Sequence, residues 1–383
     1  MKKLIPILLL ITLTIPIFAY ENDNDNDYYP HGPPYQAASV LAMCAETGLV
    51  LYETEGFTLR YPASITKVMT ALLTLENVDD LQERIILSPH AIDIPDYASR
   101  MGLHEGEDIS VLEALYGIML PSGNEVARAL AEHVSGSVPA FIELMNIRAE
   151  QLGAYGTHFV NACGLPGDGQ HVTAYDVAVI MRAALRHPVF VEIISTPFFN
   201  LPPTNKHPYP RRLMNTNRMI RPDMEEFNPC IVGGKTGFTR AAGRTLVTYA
   251  RRDGRSVILV VLYTPALANF ADTAALMEIA FDILIERELE AERAAARLAA
   301  AIEADRIAEE RAAAEQARQE ALRLEAERQQ PEPAPLPEPH PPPNEIDMLE
   351  AAIAAASILA IVMVCLLLLL LFYHIKNKRG EKL

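Results

Sequence analysis

Pro62-Ala63-Ser64-Ile65-Thr66-Lys67-Val68-Met69-Thr70-Ala71-Leu72-Leu73 reads as the opening of a helix. Proline suits the first helical position, where its missing N–H is no loss, and a mostly apolar body of good helix formers follows it. Ser64 and Lys67 stand three apart, so both project from one face of the first turn. A hydroxyl beside a neutral amine is an activated nucleophile. The start of a helix favours such a pair twice. Its positive end disfavours a charged Lys67, and its free N–H groups favour a developing anion. An ordinary amphipathic helix carries the same spacing often enough that these residues alone decide nothing.

Two stretches downstream change that balance. Ser122-Gly123-Asn124 and then Lys235-Thr236-Gly237 follow. The ordered set Ser-x-x-Lys, Ser-x-Asn, Lys-Thr-Gly marks the serine enzymes that recognise penicillin. From about Ala37 to Glu286 the chain resembles the D-alanyl-D-alanine carboxypeptidases of the low-molecular-mass penicillin-binding proteins. The likeness extends to Leu120-Pro121, to His158-Phe159-Val160-Asn161 with Gly164-Leu165, and to Phe238-Thr239 with Ala242-Gly243. It implies a fold like that of transpeptidases and β-lactamases, with the active site between a sheet and a block of helices. It also implies a substrate, the pentapeptide stem of peptidoglycan, and covalent inhibition by β-lactams.

The local patterns agree with an α/β chain of the α+β kind. Residues 38–44 and 49–53 are short apolar runs around Glu46-Thr47-Gly48, which reads as a hairpin. Ser110-Val111-Leu112-Glu113 looks like a capping box opening a helix to about Leu120. Pro121 ends it, leaving Ser122 and Asn124 on a tight connection before a helix from Glu125 to about Val134. A further helix is expected over about Pro139–Leu152, stopped by Gly153. Thr173-Ala174-Tyr175-Asp176 reads as a second capping box, with its helix running to about Arg186. Strands are expected over Thr245–Ala250 and Ser256–Tyr263, joined at Arg252-Asp253-Gly254, with a helix from about Asp272. Strands first, helices next and strands last predict a mixed sheet with its helices segregated, in which the first hairpin and the last strands join one antiparallel sheet.

Accessory segments flank this region. Met1-Lys2-Lys3, the apolar run Leu4 to Phe18 and Ala19 have the form of a signal peptide over residues 1–19, with an uncleaved anchor as the alternative. Residues 20–36 read as an acidic, disordered lead-in. The catalytic domain is expected over 37–286. Residues 287–330 hold Glu, Arg and Ala without Gly or Pro, the composition of a solvated helical stalk, which at 1.5 Å per residue extends about 65 Å. Residues 331–346 are a Pro-rich spacer. Residues 351–373 carry no charge and are long enough to span a bilayer. Basic residues fill the tail 374–383, which should therefore face the cytoplasm and leave the enzyme outside a bacterial cell membrane. A net charge of −16, from 33 basic and 49 acidic residues, argues against a nucleic-acid partner. The four cysteines imply no disulfide framework, and no spacing suggests a metal or cofactor site.

The family likeness assigns the chemistry. Ser64 is the nucleophile and Lys67 its base, with a pKa lowered by a dry pocket, the helix end and a second cation, Lys235. Ser122 passes the proton toward the leaving amine. Asn124 holds Lys67 or the substrate amide; helix capping is the plain structural alternative for Ser122 and Asn124. Lys235 and Thr236 take the terminal carboxylate from an edge strand, and Gly237 lets the backbone approach. The N–H groups of Ser64 and Phe238 form the oxyanion hole. Asn161, Gly164, Leu165 and His171 are read as turn or structural residues outside the site. Two rivals remain. A class A-like β-lactamase would share the three motifs, but Gly123 stands where those enzymes usually carry Asp. Their deacylating Glu-x-x-Leu-Asn string is also missing between Asn124 and Lys235, where the nearest match is Glu143-Leu144-Met145-Asn146. A non-catalytic penicillin-binding scaffold is disfavoured by intact Ser64, Lys67 and Lys235.

Overall fold

A computed structural model describes residues 34–328 and 345–379. The expected signal peptide, the Pro-rich spacer up to residue 344 and residues 380–383 lie outside the described residues. The chain to Leu298 packs as one compact unit, and the chain from Ala299 forms a second.

The first hairpin is β1 (Ser39–Cys44) and β2 (Val50–Thr54). A 3-10 turn, Ala63–Thr66, leads into α1 (Lys67–Asn77). Next come β3 (Arg84–Ile86), α2 (Pro89–Ile92) and β4 (Asp108–Ser110). The helical block continues with α3 (Val111–Met119), α4 (Asn124–Ser135), α5 (Val138–Leu152), α6 (Ala174–Ala184) and α7 (Pro188–Ser195). A small hairpin follows, β5 (Phe198–Leu201) with β6 (Arg211–Met214). Then come β7 (Ile231–Thr239), β8 (Gly243–Arg252), β9 (Arg255–Thr264), α8 (Asn269–Arg328) and α9 (Glu345–Arg379).

The main sheet is antiparallel throughout, in the order β2-β1-β9-β8-β7. Its centre explains the unbroken apolar run of β9. Ile258, Val260 and Leu262 join the core under the helical block, while Val257, Leu259 and Val261 join a second core with Phe270, Met277 and Phe281 of α8. A sheet covered on both faces loses the usual alternation of polar and apolar residues. The β8–β9 turn at Asp253-Gly254 places both residues at positive φ, 50° and 81°, as a tight right-twisting hairpin requires. β7 lies at the sheet edge, so its outer side remains free to pair with an extended ligand.

The capping signals act as the residues dictate. Ser110 and Glu113 form a reciprocal capping box at α3. Thr173 caps α6 through the Asp176 N–H, while the Asp176 carboxylate accepts from the Thr157 hydroxyl. Gly153 ends α5 at φ 82°. Four details correct the sequence expectations. The Ser64 segment begins with a 3-10 turn, and α1 starts only at Lys67. Asn124 is the first residue of α4, not part of the connection. α8 begins at Asn269. Ordered packing also starts before Ala37, because Tyr35 is buried, donates or accepts a 2.8 Å hydrogen bond with the Tyr52 hydroxyl, and precedes Gln36, whose N–H bonds Asp272.

α8 changes character along its length. Its buried residues end at Leu284, and every described residue beyond Arg287 is exposed. Arg306 pairs with Glu303 and Glu310, and Arg323 with Glu327, the i,i+3 and i,i+4 spacings that support a solvated helix. In α9 the stretch Met348–Leu370 is 23 residues long and apolar enough to cross a membrane.

Candidate active site

Two glycines let three backbone segments close around Ser64. A Cβ on Gly237 of β7 would lie 2.9 Å from the Ser64 N and 2.3 Å from Thr245 Oγ1. A Cβ on Gly164 would lie 1.8 Å from the Ala63 carbonyl oxygen, and its φ of 85° already favours glycine. The 3-10 turn therefore sits clamped between β7 and the loop before α6. Thr245 of β8 pins it by donating to the Pro62 carbonyl at 3.0 Å. Ala63 takes a positive φ of 51°, a conformation that non-glycine residues adopt only where the surroundings enforce it.

Lys67 is fully buried and makes three hydrogen bonds. Its amine donates to Ser64 Oγ at 3.0 Å, to Asn124 Oδ1 at 2.9 Å and to the Cys163 carbonyl at 2.7 Å. Burial lowers its pKa to about 8, while Cys163 and Glu125 oppose that shift. The helix end and Lys235 therefore do not lead the effect; desolvation does. Lys235 shifts in the same direction. It too is fully buried, its amine donates to the Thr236 carbonyl at 3.1 Å, and burial followed by the Lys67 charge holds it well below the lysine range.

Ser122 and Asn124 do not cap α4, whose N-cap is Gly123 without a side-chain bond. Asn124 instead spans two segments, accepting from Lys67 and donating its Nδ2–H to the Ser99 carbonyl at 2.8 Å. Ser122 holds a left-handed φ of 66°, is 5% exposed, and its hydroxyl has no partner among the described residues. Next to Asn124, the buried Glu125 accepts from the N–H groups of Met101 and Gly102 at 2.6 and 2.9 Å, which fixes the Tyr97–Gly102 segment against α4.

The surface above this cluster is concave on both sides of Ser64. One depression of about 420 Å³ holds Ser122, Thr216, Thr236, Arg218 and Arg244. Thr236 Oγ1 lies 2.6 Å from Thr216 Oγ1, so the β7 edge carries a pair of hydroxyls there. A second depression of about 540 Å³ lies between Gly164-Leu165-Pro166 and Phe238-Thr239-Arg240. Tyr97 and Phe238 are 80% and 61% exposed and line both. Glu143, the nearest match to a β-lactamase base, is exposed on α5.

Comparisons with known proteins identify the family. The family model of the S11 peptidases, described as D-alanyl-D-alanine carboxypeptidase, matches residues 27–266. The chain belongs to the D-alanyl-D-alanine carboxypeptidase family. Among its relatives, D-alanyl-D-alanine carboxypeptidase DacF of Bacillus subtilis is 33% identical over 253 residues, 64% of this chain and 62% of that protein. DacB2 of Mycobacterium tuberculosis is 32% identical over 236 residues, covering 61% of this chain and 76% of the relative. The solved Streptomyces K15 DD-transpeptidase superposes with a TM-score of 0.61 at 30% identity, covering 65% of this chain and 98% of that one. The match therefore omits more than a third of the Bacillus subtilis relative. Within the D-alanyl-D-alanine carboxypeptidase family, the shared fold is the transpeptidase and β-lactamase type.

Ser64, Lys67, Ser122, Asn124, Lys235, Thr236, Gly237 and Phe238 all lie at or beside this cleft. Several positioning residues escaped the sequence reading. Asn161 accepts from the N–H of Gly164 at 2.6 Å and donates to the Leu165 carbonyl, shaping the loop that presents the Cys163 carbonyl to Lys67. Asn161 and Gly164 make the turn that the sequence suggests and, through it, also support the site. The signal was available in the resemblance itself. Ser99 and Glu125 had none, because a backbone carbonyl and a glutamate in a helix carry no motif.

Proposed function

We propose that the chain is a serine D-Ala-D-Ala carboxypeptidase that trims peptidoglycan pentapeptide stems and is acylated by β-lactams. The observation that carries this reading is the buried amine of Lys67 lying 3.0 Å from Ser64 Oγ with its pKa lowered to about 8. Neutral Lys67 takes the Ser64 proton as Oγ attacks the carbonyl of the penultimate D-alanine. The N–H groups of Ser64 and Phe238 hold the oxyanion, and one such donor is typically worth about 10²–10³ in rate. The proton then passes through Ser122 to the departing D-alanine amine. Water, activated by Lys67, releases the shortened stem.

The two lysines share this work. In the free site both are buried, and the charge on Lys67 disfavours a charge on Lys235. An arriving terminal carboxylate, held by Lys235 and Thr236, would return a proton to Lys235. That charge would in turn favour neutral Lys67, so substrate binding prepares the base.

Residues 37–286 form the catalytic domain in this reading, 287–330 a stalk and 351–373 the membrane anchor. The basic tail faces the cytoplasm and the active site the cell exterior. The test compares a D-Ala-D-Ala peptide with penicillin. Steady D-alanine release, together with a single stoichiometric burst of penicillin, is the expected result, because Glu143, the nearest match to a deacylating glutamate, is exposed on α5. Fast multiple turnover of penicillin without D-alanine release would assign the chain to the β-lactamases instead.

A further inference from the structure

A separate depression of about 460 Å³ is lined by Gly169–His171, later in the loop that carries Gly164-Leu165-Pro166, and by Ala241, the residue after Arg240. Arg60, Tyr61 and Tyr263 line it as well. No Asp or Glu lines it or the depression at Gly164-Leu165-Pro166, although the chain carries a net charge of −16.

Arg60 is held in place as a receptor would be. Its backbone N–H and carbonyl both pair with Val172, at 2.8 and 2.9 Å. Its Nε donates to Ser39 Oγ at 2.9 Å, and its guanidinium lies 5.8 Å from the Tyr263 ring centre. Its two terminal nitrogens have no hydrogen bond, and it has no ion pair, among the described residues. Tyr263 reaches this place through a break in the sheet. The β8–β9 register shifts between Arg244 and Leu246, and Tyr263 adopts a φ of 55° and is 52% exposed, whereas residues 256–262 of the same strand are buried. A bulge that re-aims one side chain, at a strained residue, is a device found near ligand sites.

We infer that Arg60, with Tyr61 and Tyr263 beside it and Arg240 on the way, binds a carboxylate on the donor peptide upstream of its D-Ala-D-Ala end. This rests on the carboxypeptidase reading above. The reach is consistent: Arg60 precedes Ser64 by four residues, so their Cα atoms are within about 14 Å. A residue two positions upstream of the acylated alanine lies about 7 Å along an extended peptide, and the arginine side chain spans the remainder. β7 runs from the carboxylate end at Lys235 toward Arg240, so a peptide paired along its edge leads its upstream part into this groove. A planar guanidinium with two free nitrogens suits a carboxylate, and the tyrosines cover the intervening backbone.

The test uses three synthetic peptides with the full-length protein: diacetyl-L-Lys-D-Ala-D-Ala, L-Ala-γ-D-Glu-L-Lys-D-Ala-D-Ala, and the same pentapeptide with its glutamate α-carboxylate amidated. D-alanine release gives kcat/KM for each. The acidic pentapeptide should exceed its amide by about fivefold, the scale of one partly exposed charge-assisted contact. Arg60→Gln should bring that ratio close to one. Tyr263→Ala, at an exposed position, should reduce it, which keeps the inference testable if Arg60→Gln misfolds. Equal kcat/KM for acid and amide in the unaltered protein, or an undiminished ratio in both variants, would overturn it. Absence of D-alanine release from all three peptides would instead overturn the carboxypeptidase reading on which it stands.

Discussion

The charge on Lys67 can be titrated without involving Lys235 if Ser64 is probed with a neutral sulfonyl fluoride, which has no carboxylate to engage the second lysine. With the amine pKa at about 8, about one site in eleven has a neutral base at pH 7 and about ten in eleven at pH 9, so sulfonylation should rise about tenfold across that interval. Mass spectrometry of the intact protein over time gives the rate at each pH. Glu125→Gln keeps an acceptor for the Met101 and Gly102 amides but removes the charge that raises Lys67, so its midpoint should fall below that of the unaltered protein. A rate that keeps climbing toward pH 10.5, where an ordinary lysine titrates, would refute the buried-base argument. Stability should follow the same group. Its folded pKa lies below the unfolded one, so the unfolded chain binds more protons between about pH 8 and 10.5, and stability rises with pH over that window. The shift from 10.5 to about 8 corresponds to about 3 kcal/mol of destabilisation, fully present below pH 8. Lys67→Met should lack this dependence, so the unaltered protein should gain Tm relative to that variant as the pH rises through the window.

Two substitutions test the geometry directly. Ser64→Ala should abolish covalent labelling by penicillin while leaving the thermal transition near its original position, and normal labelling would remove Ser64 from the mechanism. Gly164→Ala should cost about 3 kcal/mol or more, because the new Cβ meets the Ala63 carbonyl at 1.8 Å in a left-handed backbone. Any folded Gly164→Ala protein should acylate far more slowly, and unchanged Tm with unchanged labelling by penicillin would show that the loop does not clamp the Ser64 turn.

The sequence made the motifs and most helix boundaries legible for local reasons. Ser110 with Glu113, Gly153 and Asp253-Gly254 each satisfy backbone groups within a few residues, and such signals survive without tertiary context. The antiparallel joining of the first hairpin to the last strands was also legible from element order, and the edge position of β7 from the family likeness. The small hairpins β3–β4 and β5–β6 were not. They are three or four residues per strand and lack strong alternation, so only their packing defines them. Tyr35 was lost in a polar lead-in because its partners, Tyr52 and Thr54, lie on another strand. The groups around Lys67 show the same divide. Asn124 is part of a motif, but the carbonyls of Ser99 and Cys163 belong to the backbone, which every residue carries. The first turn was misread as α-helical because the Gly164 and Gly237 contacts that tighten it come from 100 and 173 residues away in the chain (164 − 64 and 237 − 64).

Ser122 has an evolutionary consequence. A left-handed φ of 66° and a buried hydroxyl without a partner among the described residues each cost on the order of 1–3 kcal/mol. Glycine at this position would relieve both burdens at once. Random drift filtered for folding alone would therefore erode this serine, and a descendant that retained the fold but lost its substrate should lose Ser122 early. On the proton-relay role proposed for Ser122, serine among distant relatives should mark a reaction still under selection, and glycine a chain in which only the scaffold has been kept.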